Sequence, residues 1–325
     1  MLCPWAEPKY HNMSTKHLLI SLTALYLLAP FGQAQVNEPD HLMVCLLADP
    51  QLIMVPETPL YVDYAMTDLS GLKHDFIAVL GDLAQNSAHF YKDYKEAVLD
   101  KTEKPLFSLA GNGDVGAGLE AYKEATGLPL YYSFYRKGIR FIFLSTVRFT
   151  GEFNHICHLG PEQLNWLRQE LKSDTLSTSI LFSHPPIFET TFHSEERDHL
   201  KAPGSMYLSE SLEVRELLRL HPNVKIFAHG HLHYTYGSKD DFNRGGYFSE
   251  GNLLHVSVGG TANNKGSSFL FIEKGKITIR VRDHEHKTWK DEFEYQVDVQ
   301  TTITESIHEN PDSAWAIIKK QIQNN

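Results

Sequence analysis

The chain has 325 residues, 42% hydrophobic and 11% aromatic, which is enough apolar material for one large core or two modest ones. A formal net charge of −10, with no Lys/Arg cluster longer than a pair, argues against a nucleic-acid groove or a basic membrane patch, since both need concentrated positive charge. The same balance opposes anionic substrates at long range, so a phosphate-directed site would need bound metal to reverse the local sign.

Residues 17–31, from His17 to Phe31, form the one long apolar run. Lys16 precedes it and Gly32-Gln33-Ala34 follows, the layout of a secretory signal peptide cleaved after Ala34. This predicts an exported protein, secreted, periplasmic or extracellular, with no transmembrane anchor once the leader is removed. An uncleaved anchor is the alternative, and Met13 is a tidier start than Met1. From residue 42, short apolar runs predict strands at 42–48, 76–80, 106–110, 139–145, 179–183 and 224–228. Their near-continuous hydrophobicity implies cover on both faces. Helices are predicted between them at 61–72, 89–99, 119–126, 161–171 and 209–220. The fourth is the best marked, opened by Gly160-Pro161 and carrying Leu164, Trp166, Leu167 and Leu171 as its apolar stripe. After residue 250 only strands are predicted, at 253–258, 268–272, 277–281 and 293–299. The reading is an α/β domain over 41–300, completed by antiparallel strands, with a tail at 301–325 whose residues 311–322 suit a short amphipathic helix. Cys45 falls in an apolar strand and Cys157 in a loop. A disulfide between them is permitted in an exported chain, but a core thiol and a loop thiol is the simpler reading.

Polar residues collect directly after the strands. The first strand ends in Asp49-Pro50-Gln51, the second in Gly81-Asp82, and the third in Gly111-Asn112-Gly113-Asp114. Later strands end in His184-Pro185-Pro186 and in His229-Gly230-His231-Leu232-His233. In α/β sheets, sites form outside the carboxyl ends of strands. Asp, Asn and His are the side chains that bind divalent cations of intermediate hardness.

Asp…Gly-Asp…Gly-Asn-x-Asp…His…Gly-His-x-His in this order resembles the calcineurin-like metallophosphoesterase superfamily over residues 43–236. The segment Gln163-Leu164-Asn165-Trp166-Leu167 is similar to that family's helix before the single-His strand. The resemblance implies a four-layer αββα sandwich of mixed sheets with the site at the strand carboxyl ends. It also implies two divalent metal ions (Mn, Mg, Fe or Zn) and hydrolysis of phosphate mono- or diesters by a metal-bridging hydroxide. On that pattern Asp82 bridges both metals. Asn112, His184 and His231 complete one shell, while Asp49, Gln51 and His233 complete the other. His229 receives no role beyond support.

Two departures stand out. Gln51 replaces a histidine; its neutral carbonyl keeps the charge count and tilts the second metal toward Mg²⁺ or Mn²⁺. Gly113 replaces the histidine that the family uses to assist the leaving group, help worth about 10²–10⁴-fold. Catalysis then falls to another group, with His155, His158, His193 and His199 on offer, or the chain is a metal- and phosphate-binding pseudoenzyme. A third reading comes from Gly111-x-Gly113-x-x-Gly116, which fits the dinucleotide fingerprint of an oxidoreductase. Asp114 inside the loop and Arg136-Lys137 in place of the expected acidic residue speak against it. The substrate, a small or macromolecular phosphate ester, is expected to be selected by loops at 149–159 and 188–211.

Overall fold

Strands and helices alternate through the first half of the chain: β1 (Leu42–Leu47), α1 (Thr58–Ser70), β2 (Phe76–Leu80), α2 (Phe90–Ala97), β3 (Leu106–Leu109), α3 (Asn112–Ala117) and α4 (Leu119–Thr126). There follow β4 (Tyr132–Arg136), β5 (Ile139–Phe143), β6 (Val147–Gly151), β7 (Asn154–Cys157), α5 (Pro161–Ser173), β8 (Ser179–Ser183), α6 (Ser211–Arg219) and β9 (Val224–His229). The chain ends in strands, β10 (Tyr247–Glu250), β11 (Leu253–Ser257), β12 (Gly266–Glu273), β13 (Lys276–Asp283) and β14 (Thr288–Asp298). The computed structural model describes residues 41–54, 56–151, 154–191, 203–233 and 246–299. The expected leader, the tail helix, His193 and His199 lie outside the described residues.

Two six-stranded mixed sheets are formed, in the orders β14-β13-β12-β1-β2-β3 and β10-β11-β9-β8-β5-β4. In the first, β1, β2 and β3 are parallel and β12 joins β1 antiparallel. In the second, β5, β8, β9 and β11 are parallel, with β4 and β10 antiparallel at the edges. Side chains alternate along the strands as a period of two requires. Leu42, Val44, Leu46 and Ala48 join Phe141, Phe143 and Phe182 in one core between the sheets. Met43, Cys45 and Leu47 face the other way and pack with Val62, Met66, Tyr91, Tyr94 and Tyr122 of α1, α2 and α4. On the far side, Ile142 and Leu181 meet Leu164, Leu167 and Leu171 of α5 and Val214, Leu217 and Leu218 of α6. The layers run helix, sheet, sheet, helix, as the resemblance implied.

Besides α3 and β10, two antiparallel pairs were not expected from the sequence. β4 pairs with β5 across Lys137-Gly138, whose φ values of 48° and 74° make the mirror-image turn that suits strand twist. β6 and β7 form a separate hairpin over residues where a loop was expected, so Cys157 sits on a strand and is buried. Cys45 and Cys157 are both free thiols.

Polar anchors hold this frame at both ends, Gln163 near the site and Arg140 at the opposite ends of β5 and β8. Gln163 is buried and bonds both backbone groups of Ser145, fixing the chain just past β5 onto α5. Arg140, fully buried, donates to Ser179 Oγ and to the carbonyls of Glu170 and Asp174, closing the C-terminal end of α5.

Candidate metal centre

The turns that follow β1, β2, β3, β8 and β9 meet at one rim. Their backbones are joined: Asp49 N–H donates to Gly81 O at 3.1 Å, Gln51 N–H to Asp82 O at 3.2 Å, and Gly230 N–H to His184 O at 3.0 Å. Asp49, Asp82, His231 and His233 all have positive φ, between 49° and 68°. For residues with a Cβ such backbone costs about 1–3 kcal/mol each and persists where the surroundings enforce it. Here it turns the side chains away from the strand direction and toward a common point.

All seven residues assigned to the metals from the sequence, Asp49, Gln51, Asp82, Asn112, His184, His231 and His233, come together at this rim. Ligand atoms of Asp49, Asp82 and His184 lie within 4.8 Å of one another. Asp82 Oδ1 accepts the Gly113 N–H at 2.7 Å, and its Oδ2 accepts from Gln51 Nε2. Asp49 accepts the His231 N–H and lies 3.2 Å from His233 Nε2. His184 donates from Nδ1 to Leu80 O at 2.8 Å, and His231 from Nε2 to Ser205 O at 3.0 Å. In neutral rings these bonds fix the tautomers and leave His184 Nε2 and His231 Nδ1 as bare lone pairs. Those two atoms face each other at 3.1 Å, and Asn112 Oδ1 stands 3.0 Å from the former. Three acceptors at this range repel one another unless a cation lies among them. Gln51 Oε1 is likewise buried without a hydrogen-bond partner. The residues present therefore fit divalent metal.

Electrostatics point the same way. Burial, then the charge of Asp49, pushes the Asp82 carboxyl up to about 8. Burial also raises Asp49, but the opposing contacts, led by the charge and hydrogen bond of His233, hold that carboxyl below its ordinary value. Enclosure lowers His184 and His231, keeping both imidazoles neutral, the form that binds metal.

Gly113 is explained by its neighbours. A Cβ there would lie 2.2 Å from the Ala84 carbonyl oxygen, one at Gly111 2.2 Å from Asp82 Oδ1, and one at Gly116 2.3 Å from Asn86 Oδ1. The three glycines that imitate a dinucleotide fingerprint let the turn after β3 lie flat on the turn after β2. Asp114, a buried residue given no role from the sequence, locks this packing by accepting from the Leu83, Ala84 and Gly111 N–H groups and from Tyr91 Oη. Burial and the nearby Asp82 raise its carboxyl to about 7.

Gln51, Asp82, Asn112, His231 and His233 open into a cleft of about 440 Å³. Its other walls are Met54, Gln85, His155, Ser205 and Met206. His155 is one of the four imidazoles on offer from the sequence; Ser205 and Met206 fall in the loop at 188–211 expected to select the substrate, with no individual role assigned. His158 turns instead to Glu210, 2.7 Å away. His229 is fully buried, 2.9 Å from Ser257 Oγ, and supports the turn after β9.

The calcineurin-like phosphoesterase profile matches residues 58–235. No curated protein sequence matches the chain. Among solved structures, a dimetal phosphatase from Danio rerio is similar at a TM-score of 0.59 and 13% identity, with 79% of this chain and 98% of that one covered. Purple acid phosphatase PPD1 from yellow lupin (Lupinus luteus) seeds is similar at a TM-score of 0.58 and 13% identity, covering 83% of this chain and 56% of that one. Both likenesses speak for the fold. With the profile matched over more than half of the 325 residues, on a four-layer sandwich, the chain belongs to the calcineurin-like phosphoesterase family.

Proposed function

We propose that the protein is a two-metal hydrolase of phosphate mono- or diesters. The observation that carries this reading is the set of bare acceptors, Asn112 Oδ1, His184 Nε2 and His231 Nδ1, beside two buried carboxylates. Asp82 would be the shared ligand; Asn112, His184 and His231 would hold one ion, and Asp49, Gln51 and His233 the other. Two divalent ions held there would clamp the phosphoryl oxygens and supply hydroxide near neutral pH. Four cationic charges against two aspartates leave about two positive charges facing the substrate. The Gln51 carbonyl favours Mg²⁺ or Mn²⁺ at the second position. Purified protein should bind close to two divalent ions and hydrolyse chromogenic mono- or diesters only when they are present. Asp82→Asn should lose most of both ions, and full metal content in that variant would remove the shared ligand from the scheme.

A second reading, a protein that binds metal and phosphate without turnover, is favoured by one observation. The Ala84 carbonyl fills the space a side chain at 113 would need. Two bound ions and measurable phosphate affinity, with no hydrolysis of any ester, would establish it. We further propose export, from the leader layout at residues 17–34. Among the described residues no helix is long and apolar enough to cross a membrane.

A further inference from the structure

We propose that His155 is the leaving-side hydrogen-bond donor of the cleft, exchanging the Ser205 carbonyl for the ester oxygen that departs from phosphorus. This rests on the hydrolase reading above.

The Ser205 carbonyl oxygen is crowded. It receives His231 Nε2 at 3.0 Å, His155 Nε2 at 3.2 Å and the Cys157 thiol at 3.3 Å. A carbonyl oxygen has two lone pairs, so one of three donors is in surplus. His231 is the less free of the two imidazoles, because its other nitrogen belongs to the acceptor group of the metal centre. Cys157 is a weak donor and fully buried. His155 makes the longer imidazole bond, is half-buried, and lines the cleft. Its ring stands edge-on to that of His231, with centroids 6.0 Å apart, one ring outward from the ligands. The hairpin bearing it packs against α3, the helix that begins at Asn112. His155 is thus held at the mouth of the site by a bond it can give up.

Hydrolysis needs such a group. As hydroxide adds to phosphorus and the ester P–O bond breaks, the electron pair of that bond passes to the departing oxygen, which takes its proton from water in the open cleft. The Nε2–H of neutral His155 shares its hydrogen with that oxygen while charge builds. It returns to Ser205 when the alcohol leaves, so the ring neither gains nor loses a proton.

The test is the rate constant against leaving-group acidity, from nitrophenyl to alkyl phosphates, with metal saturated. His155→Ala should slow alkyl esters by about 10²-fold and leave nitrophenyl esters nearly unchanged. Its metal content and its inhibition constant for inorganic phosphate should match the wild type. His155→Asn, which keeps an N–H, should recover part of the loss. His158→Ala, whose ring lies on Glu210, should behave as wild type. Equal loss on every ester, or no loss on any, overturns the proposal while leaving the hydrolase reading intact. A wild type that hydrolyses no ester defeats the hydrolase reading, and this proposal with it.

Discussion

At Asp82 a cation competes with a proton. With its carboxyl raised to about 8 by burial and by Asp49, most of the metal-free protein holds Asp82 neutral at pH 7. Metal addition at that pH should therefore release close to one proton per chain, seen by calorimetry in buffers of different ionisation enthalpy. The linkage has a definite sign. A carboxyl whose folded value lies above its unfolded one favours folding fully below about pH 4, and the benefit is lost as pH rises through about 8. Metal-free protein should melt at lower temperature as pH climbs through that window, and metal should restore it; metal uptake without proton release would mean that Asp82 is already ionised. At Gly113 the sequence and the structure lead to opposite experiments. The sequence makes Gly113→His the natural repair of a missing imidazole. A Cβ 2.2 Å from Ala84 O makes it an overpacking change instead, expected to destabilise by about 2–3 kcal/mol and to restore no activity. An unchanged melting temperature with faster alkyl-ester hydrolysis would show that the turn after β2 can withdraw. The ligands were legible because each is a polar residue ending an apolar strand. Gly113 was legible only as an absence, because its reason, a carbonyl from a neighbouring turn, is a contact in space.

Among the elements, α1 is tied to the first sheet by a buried polar chain. Asp68 accepts from both Arg282 Nε and Nη2 and from His284 Nδ1, while His284 Nε2 lies 2.7 Å from Ser267 Oγ. The order serine, histidine, aspartate imitates a nucleophilic triad, yet all three are buried and none lines the cleft. Burial raises the Asp68 carboxyl, but the Arg282 and His284 hydrogen bonds outweigh it and hold it well below the usual carboxylate range. Its contribution to stability is therefore present above about pH 4 and lost as pH falls further. Asp68→Asn strands a buried guanidinium and should destabilise by about 3–5 kcal/mol, read from denaturant midpoints. A loss under about 1 kcal/mol would mean that water already screens the pair. Elements covered on both faces, β1, β2, β5, β8 and β9, were readable as apolar runs. β4 and the β6–β7 hairpin were not. β4 alternates Tyr132, Phe134 and Arg136 with half-buried Ser133 and Tyr135, a weaker signal whose best mark was Lys137-Gly138. The hairpin has exposed Phe149 and Ile156 and little to distinguish it from a loop.

At the scale of the molecule, the ligand half of the site was written in the strand order and the far wall was not. Ser205 and Met206 lie in a stretch without periodicity, and only the packing of two sheets brings them opposite Asp82 and Asn112. Residues 17–34 predict that the mature chain begins at Gln35, which N-terminal sequencing of protein recovered outside the cytoplasm would read directly. Material from that compartment retaining residue 20 would refute the cleavage.

Asp49, Asp82 and Asn112 follow strands of the first sheet, whereas His184, His231 and His233 follow strands of the second. Elsewhere the two sheets meet mainly through the apolar core between them, a contact without direction, with a few polar ties such as Tyr132 Oη to Ser108 O and Tyr247 Oη to Phe293 O. A cation bridging the two ligand groups would rivet the sandwich shut at one end only. Chelation should then let that end breathe, and amide hydrogens in the turns after β1, β2, β8 and β9 should exchange faster, while those at the opposite ends of the same strands keep their pace.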